Sequence, residues 1–210
     1  MSNIERITSF FDELFPNAEC ELIHKNPFEL LIAVILSAQT TDKSVNKITP
    51  NLFEAYPTCF DLAKANVKDV EKIIKTIGLY HNKAINIIKC AEEIVTFYNG
   101  QVPNNFDDLV SLSGVGRKTA NVVLAVAFHI PAFPVDTHVA RISKRLYLAF
   151  ENDDVIKIEK KLNKKFPKEQ WHKMHHQMIF FGRYFCKAIN PNCEECKLKD
   201  ICRHYKKVNK

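Results

Sequence analysis

The residues best suited to chemistry are one lysine, one aspartate and a set of four cysteines. Lys118 stands in Leu112-Ser113-Gly114-Val115-Gly116-Arg117-Lys118-Thr119-Ala120, between two stretches of helical pattern. Two of the chain's five glycines fall here, where the backbone must turn tightly and pass close to something. The helix that follows offers unpaired N–H groups and the positive end of its dipole, which together bind a phosphate without reading a base. Gly-x-Gly also serves any helix end joined to a helix start, whereas the Gly-x4-Gly-Lys-Ser/Thr spacing of a nucleotide P-loop is absent. Lys118 falls in the first turn of the second helix, at the positive end of its dipole. A neutral amine is the form that attacks a sugar carbon or a carbonyl. For a lone surface lysine a solvated charge is the plainer role.

Asp136 follows 18 residues later, in Pro134-Val135-Asp136-Thr137-His138. It reads first as the N-cap of the next helix. Capping occupies one carboxylate oxygen, so the other is left to stabilise a cationic, oxocarbenium-like sugar or to move protons. Four of the seven cysteines, Cys186, Cys193, Cys196 and Cys202, crowd into 17 residues at intervals of 7, 3 and 6. Such spacing binds a metal, and a four-cysteine set suits zinc and iron–sulfur alike. Cys20, Cys59 and Cys90 are scattered through apolar helical segments and read as reduced, buried thiols.

The elements that must position these residues are all helical. Ile4, Ile7, Phe11 and Leu14 recur at helical spacing until Pro16, and Asn26-Pro27 opens a helix apolar almost all round. Asp42 to Tyr56 is helical, with Pro50 expected to kink or restart it. Thr58 and Asn66 are caps for two short helices, the second ending at Gly78, and His81 to Tyr98 is closed by Asn99-Gly100. Phe106 to Leu112 is short, and an apolar helix runs from the hairpin to about Phe128. Asp136 caps a helix through about Phe150, Asp153 or Asp154 caps the next, and the last long helix runs from about Lys168 to Phe185. No alternating strand pattern is present, so the fold class is all-α.

Charge narrows the functional classes by its placement. Of the net +6, residues 197–210 hold +5, from six Lys/Arg and one Asp. Residues 111–147 hold a further +4, from five Lys/Arg and Asp136, and the remaining residues sum to −3. The hairpin and the tail are therefore the two candidate phosphate contacts. With Glu5, Asp12 and Glu13 among the first 14 residues, a signal or transit peptide is not expected there. Pro27 to Gln39, the most apolar stretch, is too short for a membrane span and carries Glu29. A cytoplasmic protein is expected, nucleoid-associated if bacterial.

The Leu112–Ala120 hairpin joined to Val135-Asp136-Thr137-His138, with the terminal Cys-x6-Cys-x2-Cys-x5-Cys, resembles the endonuclease III family of helix-hairpin-helix base-excision DNA glycosylases. Pro27 to Val34, Ser37-Ala38-Gln39 and Ile77-Gly78-Leu79-Tyr80 extend the likeness over nearly the whole chain. The resemblance implies a two-domain fold, with a six-helix barrel over about residues 22–130. Residues 1–21 and 131–210 would form a discontinuous domain carrying a [4Fe-4S] cluster on the four cysteines. The implied partner is duplex DNA bearing an oxidised or ring-saturated pyrimidine or an abasic site, bound by a monomer, with the target nucleotide flipped from the stack. Lys118 would be the nucleophile and Asp136 the catalytic carboxylate. Gln39 and Leu79 would fill the vacated space and wedge the opposite strand. Gly114, Val115, Gly116 and Arg117 would hold a backbone phosphate, with His138 and Arg141 as further DNA contacts. The lysine favours a combined glycosylase and lyase, since by the same resemblance the adenine-removing and mismatch-thymine branches lack it.

Three features depart from the family pattern. Ser113 stands where proline is common and should loosen the turn slightly. The loop 187–192 holds one lysine where relatives are more basic, and the tail after Cys196 is its candidate substitute. Pro50 interrupts a family helix. His172, His175 and His176 read as a packed or solvated helix face, since no glutamate follows His172 as a zinc protease needs, and Trp171 reads as core. Two rival classes remain, a non-catalytic DNA-binding hairpin and an iron–sulfur electron carrier. The first leaves Lys118 and Asp136 unexplained, and the second leaves most of the chain without a role.

Overall fold

A computed structural model describes residues 1–209 of the chain. All regular structure among them is helical. Helix α1 (Asn3–Leu14) opens on a capping box, in which Ser2 Oγ accepts from the Glu5 N–H while Glu5 accepts from the Ser2 N–H. Contacts divide the chain into two compact units, residues 20–130 and residues 1–19 with 131–210.

Residues 20–130 hold α2 (Pro27–Leu36), α3 (Asp42–Ala55), α4 (Cys59–Leu62), α5 (Val67–Ile74), α6 (Tyr80–Tyr98), α7 (Phe106–Ser111) and α8 (Arg117–Ala127). Every α2 residue from Phe28 to Leu36 is buried, so this helix is the axis of the unit's core. Its one acid, Glu29, accepts from the Lys25 N–H at 2.8 Å, and Asn26 caps the helix through the Glu29 N–H at 2.9 Å. Asn66 and Thr58 cap α5 and α4 as expected. Two expectations change. Helix α3 runs unbroken through Pro50, because the proline is exposed while Val45, Ile48, Thr49 and Leu52 bind the opposite face to the core. Helix α5 ends at Ile74, and Gly78 lies in the turn beyond it.

The second unit joins α1 to α9 (Thr137–Arg145), α10 (Val155–Lys165), α11 (Trp171–Phe180) and α12 (Arg203–Val208). Its separate core contains Ile7, Phe10 and Phe11 of α1 with Phe133, Ile142, Leu162 and Phe181. Polar ties reinforce that docking. Arg6 grips both oxygens of Asp200 at 2.7 and 2.8 Å, and Gln177 donates to Asp12 at 2.7 Å. Helix α9 stops at Arg145 rather than near Phe150. Tyr147 adopts a left-handed φ of 58°, and the N–H groups of Leu148 and Ala149 turn back onto Ser143 O at 2.9 and 3.1 Å. Of the two aspartates proposed for α10, Asp154 is the cap, while Asp153 binds the Phe150 N–H and Lys161. The last long helix is in three parts: a 3-10 turn over Lys168–Gln170, α11, and a π turn over Phe181–Phe185 that leads into Cys186. Among the described residues no helix is long and apolar enough to cross a membrane.

Candidate functional site

The hairpin is α7, a turn, and α8. Gly114 has φ +76°, and a Cβ on it would lie 3.1 Å from Asn86 Cβ and 3.3 Å from Ile35 Cγ2. Only glycine meets both demands there. Gly116 differs: its φ is −94° and a Cβ would meet nothing within 4 Å. Nothing in the protein itself therefore requires glycine at this position. Gly116 is also the N-cap of α8, and no side chain caps that helix. An open helix start with bare space over it is a receptor for an anion. Ser113 tightens the turn instead of loosening it. Its N–H and hydroxyl donate to the two Glu93 oxygens at 2.6 and 2.8 Å, and proline lacks both donors. Val115 is buried beneath the turn, and the Arg117 guanidinium sits 4.9 Å from the centre of the Phe106 ring, tying the two helices. Lys118 occupies the first turn of α8 with its side chain exposed.

Gln39 and Leu79 belong to the same unit and share an unusual backbone. Both are exposed and left-handed, with φ 54° and 59°. Glycine or asparagine takes that conformation easily; glutamine and leucine take it only where the surroundings hold it.

Asp136 caps α9 in the other unit. Its Oδ1 accepts from the Val139 N–H at 2.7 Å, and the residue is half-buried. His138 is half-buried two residues on. Burial, with Arg141 and Arg183 nearby, lowers its pKa from the ordinary histidine value, so it is a neutral imidazole at neutral pH. Arg141 Nη2 donates to Gly182 O at 2.7 Å and Cys186 O at 3.2 Å, so the head group holds the backbone before the cysteine loop. Gly182 makes room for this packing, since a Cβ there would lie 2.9 Å from His138 Cβ.

Cys186, Cys193, Cys196 and Cys202 line one pocket with Leu146, Phe181 and other residues. Burial raises the pKa of Cys186, Cys193 and Cys196, with Cys196 pushed up to about 11. As free thiols they are protonated, and a metal centre binds by displacing those protons. Among the described residues no three His, Cys, Asp or Glu side chains form a group that could hold a metal ion. The four cysteines instead line one shared pocket, and the donor set of four thiols fits an iron–sulfur cluster. Arg145 supports that fit by donating to Cys186 Sγ at 3.1 Å and to Lys187 O at 2.8 Å. Sequence reasoning grouped Arg145 only with the local charge; its position one turn beyond Arg141 on α9 was the available signal.

His175 and His176 are buried, and His176 is pushed down to about 2 by burial and by its neighbours, His175 foremost. They are packed core residues. Trp171 Nε1 donates to Phe166 O at 2.9 Å as the ring packs on the same core.

Comparison with known proteins agrees with this geometry. Residues 32–168 match the HhH-GPD superfamily of base excision DNA repair proteins. Residues 186–202, which begin and end on cluster cysteines, match the iron–sulfur binding domain of endonuclease III. The chain is 51% identical to endonuclease III of Bacillus subtilis (strain 168), over all of this chain and 97% of that protein. It is likewise similar to a solved endonuclease III trapped in a covalent intermediate with DNA, with TM-score 0.95 and 51% identity over the whole of both chains. A non-covalent endonuclease III–DNA complex superposes with TM-score 0.93 at 52% identity, covering all of this chain and 99% of that one. The chain belongs to the endonuclease III family of base-excision DNA glycosylases and AP lyases, whose cofactor is a [4Fe-4S] cluster.

Proposed function

We propose that this enzyme removes oxidised or ring-saturated pyrimidines from duplex DNA, using Lys118 as nucleophile and Asp136 as the catalytic carboxylate. The observation that carries this reading is the uncapped start of α8 at Gly116, with the exposed Lys118 amine in its first turn. A phosphate of the damaged strand seats on the open N–H groups, which places the deoxyribose within reach of the lysine. The neutral amine attacks C1′, and the bond from C1′ to the base breaks with its electron pair leaving on the base. Asp136 stabilises the positive charge that develops on the sugar. Loss of the amine proton and opening of the ring give an imine between Lys118 and C1′. Removal of a C2′ proton then expels the 3′ phosphate, and water releases the lysine. The covalent intermediate reported for the related endonuclease III supports this route.

Gln39 and Leu79 enter the duplex where the nucleotide leaves it, and their exposure and fixed left-handed backbone suit a wedge. Cys186, Cys193, Cys196 and Cys202 hold the [4Fe-4S] cluster, which when bound tethers the loop 186–202 at four points. His138 orients against the backbone at Gly182, and Arg141 and Arg145 hold the loop from α9. The two compact units serve as the two domains, and the protein acts as a monomer in the cytoplasm, on the nucleoid in a bacterial cell.

Borohydride trapping on a duplex containing thymine glycol or an abasic site tests the reading. A covalent adduct that disappears in Lys118→Ala is the expected result. No adduct, or one that persists unchanged in Lys118→Ala, refutes the lyase route. Iron analysis and visible absorbance test the cluster, and a colourless protein with stoichiometric zinc refutes it.

A further inference from the structure

Lys83 lies on the apolar side of α6, beside Ala84 and Ile87, and is only 4% exposed. A lysine so buried is ordinarily paired with a carboxylate. Here Nζ instead donates to the Thr40 hydroxyl, at 2.8 Å. Burial lowers the pKa of Lys83 from the ordinary lysine value, yet amine and ammonium both keep a proton to donate. The bond to Thr40 therefore does not depend on protonation.

The two bonds of Lys83 reach two particular places. Its side chain holds Thr40, the residue after left-handed Gln39. Its backbone N–H donates to the carbonyl of left-handed Leu79 at 3.0 Å. The Gln39 turn is otherwise closed by short-range bonds: Thr40 N to Ser37 O at 3.0 Å, Ala38 N to Ile35 O at 3.3 Å, and Thr40 Oγ1 to Ala38 O at 3.4 Å. The Thr40 hydroxyl thus donates within the turn and accepts from α6. We propose that Lys83 is a positioning residue that fastens the Gln39 turn to the start of α6, so that Gln39 and Leu79 are presented to the duplex as one rigid pair. This rests on the reading of those two residues as wedges. Extracting a damaged base that is still paired and stacked needs both wedges together. An abasic nucleotide has no base to unstack, so it needs the strut less.

The test compares Lys83→Met, Thr40→Val and the double variant in the holoenzyme. Two rates are read: single-turnover excision of thymine glycol from duplex, and cleavage at a preformed abasic site. Each single variant should slow excision about tenfold, the scale of one hydrogen bond to a charged group. The double variant should be no slower than either, and abasic cleavage should fall less than about threefold. Additive losses, Thr40→Val at the wild-type rate, or equal losses in both assays overturn the strut. If Lys83→Met does not fold, Thr40→Val alone decides by the same two rates, because Thr40 is only half-buried and valine matches its shape. Gln39→Ala separates the premises. If Gln39→Ala excises like wild type, the wedge reading fails and the strut with it; if it is slow while Thr40→Val is normal, the strut alone fails.

Discussion

Helices α8 and α9 begin in opposite ways. The start of α9 is closed, with Asp136 Oδ1 accepting from the Val139 N–H at 2.7 Å. The start of α8 is open, with Gly116 in the capping position and no side chain satisfying the N–H groups behind it. Most other starts are closed too: Ser2, Asn26, Thr41, Thr58, Asn66, Asn105 and Asp154 each accept from a backbone N–H of their own helix. A side-chain cap stabilises a helix by about 1 kcal/mol, so leaving it out has a cost in stability. The open start leaves its donors without a side-chain cap, where the proposed function seats a phosphate, and the closed one uses a donor within the fold. Asp136 caps with one oxygen, and in the proposed mechanism the other serves the reaction.

The comparison can be broken most severely at Lys118. Lys118→Ala should abolish the borohydride adduct and slow base excision on the order of 10⁴-fold, with the melting temperature unchanged because the side chain is exposed and in the first turn. Asp136 comes next and separates its two roles. Asparagine caps as well as aspartate, so Asp136→Asn should melt near wild type while excision falls by about 10² to 10⁴. Asp136→Ala should lose the same activity and about 1 kcal/mol of stability besides. If the two variants melt alike, the cap is not what Asp136 contributes to the fold.

The two hairpin glycines give smaller and opposite effects. Gly114→Ala forces a side chain into a left-handed backbone against Asn86 and Ile35, and should cost about 2 kcal/mol in a denaturant titration. Gly116→Ala should leave stability equal or raise it by up to about 1 kcal/mol, since its space is open and its backbone ordinary. Its Cβ instead meets the bound phosphate, and affinity for an abasic-site duplex should fall about tenfold, or about 1.4 kcal/mol. Equal affinity would mean that no strand passes over that residue. The smallest effect is at Ser113. Ser113→Pro removes both bonds to Glu93 and should cost about 1 kcal/mol by urea unfolding.

Much of the fold was legible because helix starts are local. Asn26, Thr58, Asn66 and Asp136 cap through an N–H two or three residues away, which a short stretch of sequence displays. Helix ends were harder to read. The apolar pattern after Arg145 suggested more helix, but the turn at Tyr147 and the double bond to Ser143 O stop it. Pro50 read as a break until the core packing of its opposite face was visible. In the candidate site, Lys118, Asp136 and the cysteines stood out by type and spacing, whereas Ser113 was misjudged because its partner, Glu93, lies 20 residues away.

By itself the sequence determined an all-helical chain, a glycine hairpin with a lysine behind it, a capping aspartate, and four cysteines spaced for a metal centre. Each is a matter of residue type and short-range bonding, which the chain carries wherever it folds. Only the tertiary structure decided which glycine is demanded by the protein and which leaves room for a partner. It also decided that Arg141 and Arg145 turn toward the cysteine loop more than 40 residues on, and that Lys83 is buried against Thr40, 43 residues away. Those assignments depend on desolvation and on atoms brought within about 3 Å by packing, and neither exists before the cores form.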